Sequence, residues 1–467
     1  MSRRAAFVLA AGLLSGCALG PDYERPELDV PEGYIQPIDE GESFANVPWW
    51  EIFEDPQLEA LIRMALEESQ DIRIAVARIE EFRGLLGITR ADQFPQVDLA
   101  GSGARNDPSG NSFPGNVPGL AESIAEIYQL RADVFFEVDL FGRLRRSTEA
   151  ARAQLLAVEE NRRAITISLV ASVASTYMTL RDLDQQLEIA QRTVATRADS
   201  LRIIEARFEK GTVARIDVNQ AEIQLTIAQA AVAAAERQVV QTENLLSVLL
   251  GRRPGTITRG LALREQTFPP SIPAGLPSEL LQRRPDVLAS EAELAAQTAR
   301  IGVAQALRWP TLSLTGSLGL ESNELSDLIE SGSDYWNAGV GLTAPLFNAG
   351  RNKARVEVER ARTEQLLLSY EQTVIRAFRE VEDALVAIRT YRDEHEARRL
   401  QVEAARSATT LSRARYDGGV TSYLEVLDTE RSLFNAELAE SQTLRLYFTS
   451  IIELYKALGG GWAPDES

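Results

Sequence analysis

Side chains able to do chemistry are scarce in this 467-residue chain, which has one histidine, His395, and one cysteine, Cys17. A zinc site built from His and Cys needs several such ligands and a disulfide needs two thiols, so neither can form within the chain. Most hydrolytic and redox mechanisms lose their usual side chains as well. The one thiol is informatively placed, at the end of the apolar run from Ala5 to Leu14 that follows Arg3 and Arg4. Basic residues, a short apolar stretch and then small residues make a secretory leader, too short to span a bilayer as a helix. The formal charge is −19, and losing Arg3 and Arg4 with the leader takes it to −21 (−19 − 2). Nucleic acid is gripped through Lys and Arg clusters, so the charge argues against nucleic acid as a partner. An acidic surface also disfavours anionic headgroups, but it leaves an apolar membrane contact open.

The leader closes on Leu14-Ser15-Gly16-Cys17, which resembles the lipobox of bacterial lipoproteins. That resemblance implies acylation of Cys17, which then becomes the mature N-terminus. Ala18, in place of an aspartate, implies retention in the outer membrane. Each buried methylene of an acyl chain contributes about 0.8 kcal/mol, so several chains make a firm tether. Residues 1–16 are therefore expected to be a lipoprotein signal peptide. Residues 17–48, rich in Pro, Glu, Gly and Asp, are expected to be a lipidated, extended tether.

The elements beyond residue 48 come in two copies. Tyr416, Gly419 and Val426 stand 208 residues after Phe208, Gly211 and Val218 (416 − 208, 419 − 211 and 426 − 218). Asp139-Leu140-Phe141-Gly142-Arg143 is answered by the text from Pro345 to Arg351, and Phe94-Pro95 by Trp309-Pro310. A period this long marks a repeated half-protein. The copies are placed at 49–260 and 261–467, each with a helix, a strand pair and a long helical hairpin.

In Tyr128 to Leu140 the residues Leu130, Ala132, Val134, Phe136 and Val138 alternate with Arg131, Asp133, Glu137 and Asp139, giving a strand with one apolar and one charged face. Residues 96–105 are expected to pair with it. In the second copy the expected strands are 311–320 and 336–345. Each is about ten residues long, enough to cross a bilayer when tilted. Before the first strand, Asp55-Pro56 opens a helix expected to run to about Asp92.

The helical text is long. Neither Arg143 to Phe208 nor Arg351 to Asp417 contains a proline or a glycine, and a run of about 65 helical residues extends on the order of 100 Å. Leu183, Leu187, Ala190, Val194, Arg197, Leu201, Ile204 and Phe208 alternate steps of four and three, with one charged member. Val218, Ala221, Leu225, Ala228, Val232, Ala235, Val239, Thr242, Leu246 and Leu249 do the same. That is a coiled-coil seam. Tips are expected near 209–215 and 417–422, with Gly211 and Gly419 in the left-handed conformation that ends a helix.

Four spanning strands cannot close a barrel, and an open edge in lipid leaves backbone groups without partners at several kcal/mol each. Several chains must therefore pool strands. Three chains give twelve, while four or five would satisfy the edges equally. The fold class expected is an α+β membrane protein, with a strand barrel continuous with a hollow ring of long helices.

The chain resembles the TolC-type outer-membrane efflux proteins, in the OprM- and NodT-like lipoprotein branch. The resemblance rests on the lipobox with Gly20-Pro21-Asp22-Tyr23, then Trp49-Trp50, Asp139 to Arg143, Arg283-Arg284-Pro285-Asp286-Val287, Pro345-Leu346-Phe347 and Leu424-Glu425-Val426-Leu427-Asp428, in that order. It implies a homotrimer with a twelve-stranded barrel. The implied partners are a periplasmic adaptor and an inner-membrane transporter of the resistance-nodulation-division (RND) type. It implies no cofactor beyond the lipid on Cys17 and no enzymatic step.

Carried over by position, the resemblance places a periplasmic gate at Asp217, Tyr416, Thr421, Glu425 and Asp428, with Tyr416 and Asp217 as a closing link and Glu425 and Asp428 as acidic rings. Thr421 stands where a relative has an arginine. Asp217 has a second reading, as a carboxylate in the first turn of its helix. Adaptor docking falls to the tips, at Gly211, Thr212, Gly418 and Gly419. The alternatives are the exit duct of a type I protein secretion system and, with one hairpin too many, a periplasmic adaptor lipoprotein.

Overall fold

The structure is a computed structural model and describes residues 18–28, 30–31, 33–36, 54–106, 125–267 and 277–460. Cys17, Trp49 and Trp50 lie outside them. The chain divides into two compact units. One is made of 1–26, 79–158 and 290–370, the other of 27–78, 159–289 and 371–467.

The first unit holds a four-stranded antiparallel sheet in sequential order, β1 (Gln96–Asn106), β2 (Ala125–Val138), β3 (Thr311–Ser322) and β4 (Asp334–Thr343). β2 and β4 both begin earlier than the alternation suggests, and both end two residues sooner. The register sets like against like. Leu130 faces Gly101 on one side and Leu320 on the other, Ala132 faces Leu99 and Leu318, and Val134 faces Val97 and Gly316. Across β3 and β4, Leu312 meets Leu342, Leu314 meets Val340, and Leu318 meets Trp336. One face is thus apolar over all four strands, and none of the described residues forms a layer over it: Leu318 is 67% exposed, Trp336 76% and Val340 73%. The opposite face is polar, with Ser317 donating to Asp133 at 2.7 Å and Arg131 to Asp133 at 2.9 Å.

Each strand pair passes into a long helix through a tight turn. Gly142 takes a φ of 76° and Gly350 one of 83°, a region glycine enters without a Cβ penalty. Arg143, at the start of helix α3 (Arg143–Glu209), reaches back to Glu137 of β2 with two bonds of 2.9 and 2.7 Å. The text from Asp139 to Arg143 is therefore a strand-to-helix junction.

Helices α1 (Pro56–Glu68) and α2 (Gln70–Ala91) precede the first strand. The sequence predicts a single helix there. Ser69 divides it, taking an extended ψ of 132° while its hydroxyl accepts from the Asp71 N–H at 3.3 Å, as a cap does. α4 (Arg215–Leu249) follows α3. In the second copy come α5 (Pro277–Arg283), α6 (Pro285–Ala306), α7 (Arg351–Asp417) and α8 (Tyr423–Ala457). The duplication is literal in length, for α3 and α7 each have 67 residues and α4 and α8 each have 35.

The core of the second unit lies where α1, α3, α4 and α8 meet, around Leu58, Ile62, Tyr177, Met178, Leu246, Phe448 and Ile452. α3 contains a stretch apolar enough to cross a membrane by length and composition. Its residues Leu169, Val173, Tyr177 and Leu180 are instead buried in this core. Asp55 caps α1 through the N–H groups of Gln57 and Leu58, and its other oxygen accepts from Tyr177, Leu261 and Gln266. A buried carboxylate so fully bonded fixes the loop after α4 to the start of α1. Arg284 and Asp286 form a two-bond pair, and Arg284 also holds Glu380 and the carbonyl of Ala457. That motif therefore ties the end of α8 to the start of α6.

Candidate functional site

The two hairpin tips are built alike. The N–H groups of Gly211 and Thr212 return to the carbonyls of Phe208 and Arg207, and those of Gly419 and Val420 to the carbonyls of Tyr416 and Arg415. Gly211 has a φ of 73° and Gly419 one of 70°, so each helix ends on a left-handed glycine. Open space surrounds both glycines. The Thr212 hydroxyl adds a bond to the Arg207 carbonyl at 2.8 Å, and the Gly418 N–H one to Ala414 at 3.1 Å. Ile216, Val420 and Leu424 stand exposed beside these turns. The candidate docking residues thus share two exposed, hydrogen-bonded, partly apolar turns.

Behind the tips, Ile204, Val218, Ala221, Tyr423, Val426 and Leu427 are buried together, with Tyr416 packed against them. Even the ring contacts repeat. Tyr416 lies 5.4 Å from Tyr423, and 208 residues earlier Arg215 lies over Phe208 at 5.5 Å. Burial pushes the Tyr423 phenol up from its ordinary pKa.

Tyr416 and Asp217 are brought into the same region but are not bonded to each other. Asp217 accepts from the Ala214 N–H at 3.1 Å, the first-turn role that was its alternative reading. The Tyr416 hydroxyl is buried without a hydrogen bond, and its ring carries the Arg207 guanidinium 4.8 Å from its centroid. Arg207 also donates to Asp417 at 3.2 Å. The tie between the first and second tips within a chain therefore runs from Arg207 to Tyr416 and Asp417.

Glu425 stands 208 residues after Asp217 and occupies the same first-turn position. Instead of capping, it accepts from the Thr421 hydroxyl and pairs with Arg415 at 3.2 Å. Asp428 pairs with Arg431 at 2.6 Å. Both proposed ring carboxylates thus carry a cation from their own hairpin, which softens the repulsion that bare carboxylates on an axis would feel. Sequence reasoning missed Arg207, Arg415 and Arg431. The first two could have been found, because each directly precedes the aromatic residue of its tip at the repeat offset, Arg207-Phe208 and Arg415-Tyr416.

Cys17 lies outside the described residues, but the segment from Leu19 to Arg25 is held tightly. The Leu19 N–H donates to the Phe141 carbonyl at 3.1 Å, and Arg146 binds the Leu19 carbonyl at 3.1 Å and Asp22 at 2.6 Å. A Cβ on Gly20 would stand 2.4 Å from the Gly302 backbone. Tyr23 and Arg25 both reach Glu291. The start of the expected tether is therefore a fitted strap along α3 and α6.

The chain is similar to known proteins along nearly its whole length. The profile of the family described as "Outer membrane efflux protein" matches residues 61–252 and 276–460. The solvent efflux pump outer membrane protein SrpC of Pseudomonas putida is 36% identical over 464 residues, covering 97% of each chain. The cation efflux system protein CusC of Escherichia coli O157:H7 is 34% identical over 454 residues, 96% of each. The solved structure of the outer-membrane channel OprN superposes with a TM-score of 0.88 at 31% identity, covering 96% of this chain and all of that one. With its four-stranded sheet, its doubled long hairpins and these matches over nearly its full length, the chain belongs to the outer membrane efflux protein family.

Proposed function

We propose that three copies of this chain assemble into an exit duct of an efflux system, closing a twelve-stranded barrel in the outer membrane above a tunnel of long helices. The observation that carries this reading is the sheet. Among the described residues its apolar face is uncovered over four strands, and β1 and β4 each have a partner on one side only. An apolar face of that height suits lipid, and each edge would leave backbone groups unpaired at several kcal/mol apiece unless another copy supplied the next strand. Acyl chains on Cys17, just ahead of the strap held by Arg146, would anchor the duct at the same membrane.

The duct itself catalyses nothing. It passes small molecules outward from an inner-membrane transporter of the RND type through a periplasmic adaptor that engages the exposed tips around Gly211 and Gly419. The relatives are efflux components named for solvents and cations, which supports a small-molecule cargo over a secreted protein. The tips hold the aperture closed through Arg207, Tyr416 and Asp417 within each chain. Mass measurement of the detergent-purified full chain tests the assembly. A trimer is expected, and a stable monomer that keeps its strand content would overturn the reading.

A further inference from the structure

The coiled-coil seam of α3 has one charged member, Arg197, and the fold buries it to 3% exposure. Its Nη1 donates to the Gln224 carbonyl of α4 at 2.7 Å, and its guanidinium lies 5.3 Å from the centroid of the Phe434 ring of α8. Its Nε is buried with no hydrogen-bond partner, and the carboxylate that acts on it electrostatically, Glu430, is bonded to Arg413 instead. A buried, half-bonded guanidinium is costly, and burial lowers its pKa from the ordinary arginine value.

Arg197 borders a cavity of about 390 Å³ between α3, α7 and α8. Three more arginines border it, Arg192, Arg406 and Arg413, against two acids, Glu430 and Glu437. Arg413 is bound to Glu430 at 2.9 and 2.6 Å, and Arg192 and Arg406 share Glu437 at 2.6 and 3.1 Å. Four guanidiniums against two carboxylates leave a formal excess of two positive charges (4 − 2) around one cavity, in a chain whose total is −19. Because Arg192 and Arg406 each give Glu437 a single bond and a guanidinium has five N–H groups, both keep donors that Glu437 does not use.

We propose that this cavity binds a small multivalent oxyanion of the phosphate or sulfate class, with Arg197 as its inner donor and Arg192 and Arg406 as its outer ones. The charge excess matches a dianion. At about 30 Å³ per water the cavity holds on the order of ten waters, room for a tetrahedral anion with part of its hydration shell. Bound there, the anion would bridge α3 of the first copy to α7 and α8 of the second, adding a charge-assisted link between the two hairpins.

Inorganic phosphate titrated into the detergent-purified full chain, at constant ionic strength set with chloride, tests this by calorimetry and thermal unfolding. Saturable binding of one phosphate per chain is expected, with sulfate competing and with a melting temperature that rises with phosphate. Arg192→Gln and Arg406→Gln, each at a half-exposed position, should leave the fold intact and weaken binding about tenfold or more, the scale of one charge-assisted hydrogen bond. Arg197→Met should abolish binding where it folds. The proposal is overturned by the absence of binding heat, by a stabilisation that chloride alone reproduces, or by an affinity unchanged in both glutamine variants.

Discussion

Removing the Arg207 side chain should loosen the hairpin tips. In each chain this guanidinium lies 4.8 Å from the Tyr416 ring centroid and donates to Asp417 at 3.2 Å, with side-chain exposures of 34% for Arg207 and 70% for Asp417. An ion pair that exposed is worth about 0.2–1 kcal/mol, and a cation over a ring at a partly exposed site about 0.5–1 kcal/mol. Arg207→Ala should therefore cost about 0.7–2 kcal/mol of closing energy per chain, or about 2–6 kcal/mol if three chains open together. At about 1.4 kcal/mol per factor of ten, the closed-to-open ratio falls by roughly 30-fold to 10⁴-fold. Conservative variants separate the parts. Tyr416→Phe keeps the ring, and its hydroxyl makes no hydrogen bond, so it should match wild type; Asp417→Asn should have a small effect, and Arg207→Lys an intermediate one. Open probability in planar bilayers is the readout. Equal open probability for Arg207→Ala and wild type would refute the latch, as would a Tyr416→Phe channel as leaky as Arg207→Ala.

Asp217→Ala should act as a cap deletion, costing about 1 kcal/mol of thermal stability while leaving open probability near wild type; a leak as large as that of Arg207→Ala would restore Asp217 to the gate. Asp286 is partly buried, and desolvation pushes its carboxyl up, but the Arg284 pair and the Val287 N–H outweigh it and hold the group below the usual carboxylate range. Its contribution is therefore present above the unfolded carboxylate pKa and is lost as pH falls through the lower folded value. Asp286→Asn should lower stability at neutral pH and flatten acid unfolding below about pH 4, checked by melting curves across pH. Because Cys17 is the only cysteine, cysteines introduced singly along β2 can report its faces. Positions 131, 133 and 137 should react with a water-soluble thiol reagent and 130, 132 and 134 should not, whereas equal labelling of both sets would remove the lipid-facing assignment.

Much of this fold is legible in the text because its signals are long and periodic. Alternation over ten residues marks the strands and their faces, and the freedom of α3 and α7 from proline and glycine sets their extent almost to the residue. The break at Ser69 was not legible, since a serine within helical text is ordinary until its hydroxyl is seen to cap the next helix. The candidate gate residues were legible only as a region. Asp217 and Glu425 occupy the same repeat position, yet one caps its own helix and the other pairs with Arg415, a choice made by side-chain reach and neighbours. Arg207 was hidden by its company, because an arginine among the arginines of a long helix carries no signal until it is found over a ring. Arg197 was visible as the charged exception in an apolar seam, but two of the arginines that gather around it come from α7, more than two hundred residues further on.

Conductance across a planar bilayer tests the duct most directly. The purified full chain should insert as an oligomer and give long-lived discrete steps that scale with bulk salt, with more open time in Arg207→Ala than in wild type. Inserted protein of the right mass that passes no current, in wild type and in Arg207→Ala alike, would contradict a conduit.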